Sequence, residues 1–397
     1  MSNWFRKQTP AFWILPIVVY LAAFGFAQFI ALAGNCHGWW EVCWSRQDSG
    51  LYLEISEKGH TLYHCGVENN YEEGSDKWCG NAGWAPFYPL LMYVLHQLSG
   101  LPNPVIGILL THFFFICFLF LVAKMLHIQD FSLKNLLTLL LCGIFPGGFY
   151  FFSIFPLSLL VLLLTIIFYS MLNQTKWYTA VAAFLLPLTY SSAVILLFCF
   201  GVYTLYLFFR KSENNIPFKF NERLKQVFNL SSDVNKILRF VLLPAFFGLI
   251  TLYLYDYFTT GYWNAMYMVQ SKYGHLLYSP FKHLGIHFKM LREHWPQPIA
   301  WIDLQNIVGF IVIPFLAAAM YKSKSKIAVL LMIYVLVMWY IPFSIGINVS
   351  LYRGITLLAP AMVFLHQKSV WLKLSCLAVF AVFYYQLGVL FILSILK

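Results

Sequence analysis

The sequence predicts an all-α polytopic membrane protein with about eleven transmembrane helices, on three observations. Apolar residues fill 60% and charged residues only 10% of its 397 positions, whereas about a quarter of a soluble domain is charged. Long apolar runs recur from one end of the chain to the other. The Lys and Arg residues behind the formal net charge of +11 sit at the ends of those runs and not along an exposed face, so they read as membrane topology and not as affinity for nucleic acid.

The first run, 11–33, is long enough at about twenty residues to cross a bilayer. It lacks a small-residue cleavage site after a short apolar core, which predicts an uncleaved helix. A polar loop, 34–84, follows. Leu90 to Leu98 is too short to span and is expected along the interface as a short helix with its aromatic rings at headgroup depth. Further runs at 104–124, 135–152, 155–173, 177–189, 192–209, 239–258, 299–320, 327–347, 354–368 and 374–396 complete the eleven. Several are broken by Pro146-Gly147-Gly148, Pro156, Pro187 or Ser191-Ser192. Non-helical backbone at membrane depth survives only when buried in protein or facing a wet cavity, so a cavity open to the outer leaflet is expected. Aromatic residues reach 19%, more than interfacial belts require; most are packing, and some are expected to line that cavity for lipid or sugar. No internal repeat or soluble domain interrupts the chain, which reads as one domain over 1–397.

Orientation follows from charge. Arg6 and Lys7 precede the first run, Lys322, Lys324 and Lys326 form a cluster, and Arg210 to Arg239 carries seven bases against three acids. The positive-inside rule makes these cytoplasmic. The N-terminus is then cytoplasmic and the loop 34–84 extracytoplasmic, in a bacterial inner membrane or an ER membrane. Of the fifteen Asp and Glu residues, eight fall in this one loop: Glu41, Asp48, Glu54, Glu57, Glu68, Glu72, Glu73 and Asp76. So do Cys36, Cys43, Cys65 and Cys79, while Cys117, Cys142, Cys199 and Cys376 lie in apolar runs as small hydrophobes. Four cysteines in an oxidising compartment predict two disulfides, with three possible connectivities. A four-thiolate zinc site is the competing reading, and the absence of C-x-x-C pairs counts against it.

The second extracytoplasmic segment, 259–298, is basic: Lys272, Lys282, Lys289 and Arg292 stand against Glu293, with His275, His283, His287 and His294. It is either a solvated loop or a docking surface for lipid phosphate. An acid-rich loop facing a basic one across a lipid-accessible cavity suits transfer of a sugar from a lipid phosphate to a hydroxyl: a carboxylate takes the acceptor proton while cations hold the departing phosphate. No nucleotide-binding glycine fingerprint is present, so a polyprenyl-phosphate sugar donor and a lipid or glycan acceptor are the expected partners.

The stretch Arg46-Gln47-Asp48-Ser49-Gly50-Leu51-Tyr52-Leu53-Glu54-Ile55-Ser56-Glu57-Lys58-Gly59-His60 resembles the first-loop signature of the second mannosyltransferase of GPI-anchor assembly and its bacterial relatives. Trp84-Ala85-Pro86-Phe87-Tyr88-Pro89-Leu90-Leu91 is similar to that family's Phe-Pro-Leu-Tyr-Pro-Leu block. Gly261-Tyr262-Trp263-Asn264-Ala265 with Gln270 and Trp295 is similar to its second external loop, and Tyr352-Arg353 with Pro360 to its late Arg-containing segment. The resemblance implies a GT-C fold and an inverting, polyprenyl-phosphate-dependent transferase, with the first-loop Asp as base. Mannose is the sugar it points to. Three places depart from the pattern: Gln47 stands where relatives have an aromatic, Phe155-Pro156-Leu157-Ser158-Leu159 replaces a Glu-containing segment, and Thr189-Tyr190 replaces Thr-Arg. A Glu and an Arg are thereby lost, which leaves the sugar and acceptor open.

The candidate residues follow. Asp48 is the candidate catalytic base, against a plain role as a solvated loop acid. Arg353, the lone charge from Ile327 to Leu365, is the candidate for the donor phosphate, against a plain role as a snorkelling anchor; Lys272 and His275 are further candidates. Glu54 and Glu57 would share a helix face at i and i+3, with Glu57 either touching substrate or simply solvated. Trp263, Gln270 and Tyr352 are candidate substrate contacts. The residues single out no cofactor; a divalent cation with Glu57 as a ligand is one reading of the loop, a solvated helix face the other. A transporter or flippase for a lipid or lipid-linked sugar is the alternative; it would carry charges mid-span, where this chain has few.

Overall fold

A computed structural model describes residues 8–38, 43–66, 75–173, 177–209, 227–230, 232–274, 277–323, 325–345 and 350–396. His275, Glu41, Glu68, Glu72, Glu73, Arg6, Lys7, Lys324 and most of the basic stretch after Phe209 lie outside them. The described residues are helical almost throughout. In chain order come α1 (Pro10–Ala33), α2 (Ser49–Lys58), strands β1 (Tyr63–His64) and β2 (Trp78–Cys79), then α3 (Phe87–Ser99), α4 (Asn103–Met125) and α5 (Leu133–Gly143). A 3₁₀ turn at Gly148–Phe152 precedes α6 (Leu157–Asn173), α7 (Trp177–Thr189) and α8 (Ala193–Phe209). Next are α9 (Asp233–Thr260), with a π-helical turn at Leu238–Leu242, then α10 (Ala265–Ser271), α11 (Pro280–His294), α12 (Ala300–Lys322) and α13 (Lys326–Ile345). The short α14 (Leu351–Gly354) runs into a 3₁₀ stretch, Ile355–Gln367, and α15 (Val370–Ile392) ends the fold.

Each apolar run in the sequence is occupied by helix, and six of the helices, α1, α4, α9, α12, α13 and α15, are long and apolar enough to cross a membrane. The chain is a multi-pass membrane protein in this sense. Among the other helices of the apolar runs, α5 stops at Gly143 before Pro146, whereas α7 continues through Pro187, where the sequence predicted a break, and stops at Thr189 before Ser191-Ser192. Helix ends follow local chemistry. Ser132 and Ser369 accept the amides of Asn135 and Leu372 at the starts of α5 and α15, and α3 and α9 close on Gly100 and Gly261, both with positive φ.

The interruptions are not solvent-facing. Phe149, Tyr150, Phe151, Phe152, Ile154 and Phe155 are all buried, and Tyr150 packs edge-on to Phe155 and Phe391 at 4.9 and 5.1 Å. The break after Pro146 lies against the segment following α14: Thr356 Oγ1 donates to the Gly147 carbonyl at 3.0 Å, and a Cβ on Gly147 would fall 2.0 Å from that hydroxyl and 2.8 Å from the Tyr352 carbonyl. A second close approach joins α7 and α9, where a Cβ on Gly248 would meet the Phe184 carbonyl at 2.0 Å. Small residues let membrane helices approach in this way.

The first loop is stapled. Disulfides join Cys36 to Cys43 and Cys65 to Cys79, so the four loop cysteines are paired with each other. The second bridge closes the β1–β2 ladder, in which Tyr63 faces Cys79 and His64 faces Trp78. Asn81 ties its base, accepting from the Thr61 amide at 2.7 Å and donating to the Gly59 carbonyl at 3.2 Å. Gly80, at φ +113, sits so close to the Thr61 carbonyl that no side chain fits.

Candidate functional site

Asp48 immediately precedes α2, where its backbone carbonyl accepts from the amides of Leu51 and Tyr52. The helix buries Ser49, Tyr52, Ile55 and Ser56, one face at helical spacing. The opposite face leaves Glu57 exposed and Glu54 3.7 Å from Lys58. Gln47, just before Asp48, has φ +56. A non-glycine residue held there is strained by about 1–3 kcal/mol, and such positions gather at functional sites.

The carboxylate points inward. Its Oδ2 accepts from Trp84 Nε1 at 3.1 Å and from Arg353 Nη1, a residue 305 positions away on α14. The Arg353 guanidinium also donates to Ser350 Oγ at 2.7 Å and lies 5.7 Å above the Phe155 ring. Tyr150, Tyr190 and Tyr352 are near enough to interact with it electrostatically. Asp48 and Arg353 side chains are only 19% and 14% exposed, so the pair is largely dry yet reachable. Oδ1 of Asp48 receives no hydrogen bond from the described residues. Arg46 Nε, Gln47 Nε2, Ser49 Oγ and Arg353 Nε are buried with no partner among the described residues. Arg46 Nη2 lies 4.0 Å from Cys36 Sγ, and the guanidinium that reaches the carboxylate is that of Arg353, whose planar fork suits a ligand rich in anionic oxygen. Beneath them, burial holds the Tyr52 phenol well above its usual pKa, so it stays neutral.

A second buried pair fastens this loop to the last turns of α9. His60 Nδ1 lies 2.9 Å from Asp256 Oδ1 and His60 Nε2 lies 3.0 Å from the Trp84 carbonyl, and both side chains are fully buried. A carbonyl can only accept, so Nε2 donates to it. Asp256 also accepts from the Met266 amide at 3.3 Å. Trp84 is thus gripped at its carbonyl by His60 and offers its indole to Asp48. Gln270 adds a bond from Nε2 to the Gly83 carbonyl at 2.9 Å.

The candidate residues therefore divide. Asp48, Arg353 and Tyr352 come together in one place, and Gln270 reaches it through the Gly83–Trp84 backbone. Lys272 is elsewhere: its Nζ is 3.7 Å from Cys79 Sγ and 5.1 Å from the Tyr273 ring centre, and burial lowers its pKa. Trp263 is 63% exposed and packs edge-on to Tyr253. Glu57 is exposed, and His275 lies outside the described residues. Among the described residues no group of three or more His, Cys, Asp or Glu side chains is arranged to hold a metal ion. Sequence reasoning passed over His60, Asp256 and the role of Trp84. The signal for Asp256 was available: it is an acid inside an otherwise apolar run. Phe155 and Tyr190, at two of the places where the chain departs from the pattern it resembles, both lie beside Arg353.

No protein-family model matches this chain, and no curated protein matches it.

Proposed function

We propose that this chain is an inverting glycosyltransferase of GT-C-like architecture, crossing the membrane about eleven times. It would move a hexose, with mannose the sugar the resemblance implies, from a polyprenyl-phosphate donor to a hydroxyl of a lipid or glycan acceptor on the extracytoplasmic side. The observation that carries the reading is the meeting of Asp48 and Arg353, an acid from the first loop and the one base of a late apolar stretch, with Arg353 Nε buried and unpartnered among the described residues.

In this mechanism the donor phosphate takes the Arg353 guanidinium, whose planar fork matches phosphate oxygens, and displaces Asp48 from it. Trp84 keeps Oδ2 oriented while Oδ1 accepts the proton of the acceptor hydroxyl. The acceptor oxygen attacks the anomeric carbon from the face opposite the phosphate, the bond from that carbon to the phosphate oxygen breaks, and its electron pair leaves with polyprenyl phosphate. That leaving group needs no separate acid. Direct displacement inverts the anomeric configuration.

The test is incubation of the purified protein with labelled polyprenyl-phosphate hexoses and a membrane-lipid extract. Transfer of label to a second lipid or glycan, with inverted configuration, is expected. Movement of the labelled donor across a vesicle membrane with no new glycosidic bond would instead show the transporter reading to be right.

A further inference from the structure

Helix α11 lies between α9 and α12, two helices long and apolar enough to cross the membrane. It is on the side of loop 34–84, since His60 of that loop meets Asp256 in the last turns of α9. From there α11 folds back along α12. Phe281 at its start is 5.7 Å from Phe310, while His287 and His294 further along reach Asp303 at 2.8 and 3.5 Å, so the two helices run antiparallel. Phe310 stands ten residues into α12, about 15 Å along its axis. The polar residues of α12 end at Asn306, and from Ile307 to Met320 the helix is wholly apolar. The start of α11 is therefore level with the outer edge of the hydrocarbon, and the rest of it rises into the headgroup layer.

The faces of α11 divide sharply. His283 and His287, four residues apart, are buried against the fold. An apolar stripe at helical spacing looks outward: Phe281 and Phe288 are 72% and 51% exposed, with Leu284 and Leu291 half-buried between and beyond them. A basic stripe flanks it, formed by exposed Lys282, Lys289 and Arg292. Lys282 Nζ lies 4.2 Å over the ring of Tyr278, itself partly exposed. The one acid of the helix, Glu293, is 3.8 Å from Lys289 Nζ; both side chains are exposed, and a surface pair of this kind holds little. A helix facing water alone has no use for a row of large apolar side chains on its outer face. At a bilayer surface the row enters the lipid and the bases meet phosphates. Exposed aromatics on neighbouring elements of the same side, Phe258, Trp263 and Tyr267, mark the same interfacial depth.

We propose that α11 is a docking surface for an anionic phospholipid of the leaflet on that side, its phosphate taken by Lys282, Lys289 and Arg292 and its chains packing on Phe281. The surface holds whether or not the chain transfers a sugar. The test places full-length protein in phosphatidylcholine vesicles with a minor share of phosphatidylglycerol and a trace of either lipid carrying a spin label, and reads by electron paramagnetic resonance which lipid the protein immobilises. Wild type should prefer phosphatidylglycerol. A base near a membrane surface is worth about fivefold in association with anionic lipid, so Lys282→Gln combined with Lys289→Gln should lower the preference several-fold at an unchanged unfolding temperature. Lys282→Arg with Lys289→Arg should keep it. For the apolar stripe, a nitroxide on Phe281→Cys, with Cys117 and Cys376 changed to Ala, should be relaxed more by oxygen, which enters hydrocarbon, than by a water-soluble nickel chelate. The reverse order, or an undiminished preference in the folded Gln variant, overturns the surface. Displacement of the labelled phosphatidylglycerol by polyprenyl phosphate and not by unlabelled phosphatidylglycerol would give the basic stripe to the sugar donor and overturn the phospholipid assignment.

Discussion

Asp48 is held in place by two donors on one oxygen and left open on the other, which is the arrangement a positioned base requires. Asp48→Asn keeps the shape and removes the basicity, so turnover should fall about 10²–10⁴-fold while donor binding persists; a variant turning over at the wild-type rate would end the mechanism and turn attention to Glu54. Arg353→Lys keeps the charge and loses the fork. Donor affinity, measured by titration with polyprenyl-phosphate hexose, should drop in Lys and Ala variants alike, and unchanged affinity in both would take Arg353 out of the site. His60 and Asp256 touch no reacting atom in this scheme; they position Trp84. Because both are fully buried, deleting one partner, as in Asp256→Leu, should cost about 3–5 kcal/mol in unfolding experiments, and the double variant with His60→Leu should recover part of it.

At the scale of elements, the breaks in the helices are what bring the site together. The Pro146-Gly147 interruption ends α5 early and lets Thr356 and the Tyr352 carbonyl close on Gly147, which sets the position of α14 and so of Arg353. Gly147→Ala should overpack this junction at about 1–3 kcal/mol. The useful readout is the donor affinity of the folded variant, which should weaken because α14 is displaced; an unchanged affinity would show that the junction does not govern Arg353. The same reasoning explains why a Gly there is tolerated at a depth where Gly would otherwise weaken a helix.

For the whole molecule, the loop 34–84 is tied to α9 and α10 by His60–Asp256 and Gln270–Gly83 and braced by two disulfides. Reduction should lower unfolding free energy by about 3 kcal/mol for the longer Cys65–Cys79 loop on the chain-entropy estimate, with activity lost in parallel. The orientation has its own test. In sealed vesicles of known sidedness, a membrane-impermeant maleimide applied after mild reduction should label the loop cysteines only from the extracytoplasmic face. Labelling only from the cytoplasmic face would reverse the topology and move the proposed chemistry to the side where nucleotide sugars are found.

The sequence by itself determined the helical, multi-pass character and the presence of two disulfides, because these follow from composition, run length and compartment, which are additive along the chain. It also singled out Asp48 and Arg353, one through a local motif and one through its isolation in an apolar stretch. Only the tertiary structure decided that these two meet, which cysteine pairs with which, and that Lys272 goes to the Cys65–Cys79 hairpin instead of Arg353's side. Periodicity reports which face of a segment is buried and says nothing of its partner. A contact across 305 residues is set by how interrupted helices pack.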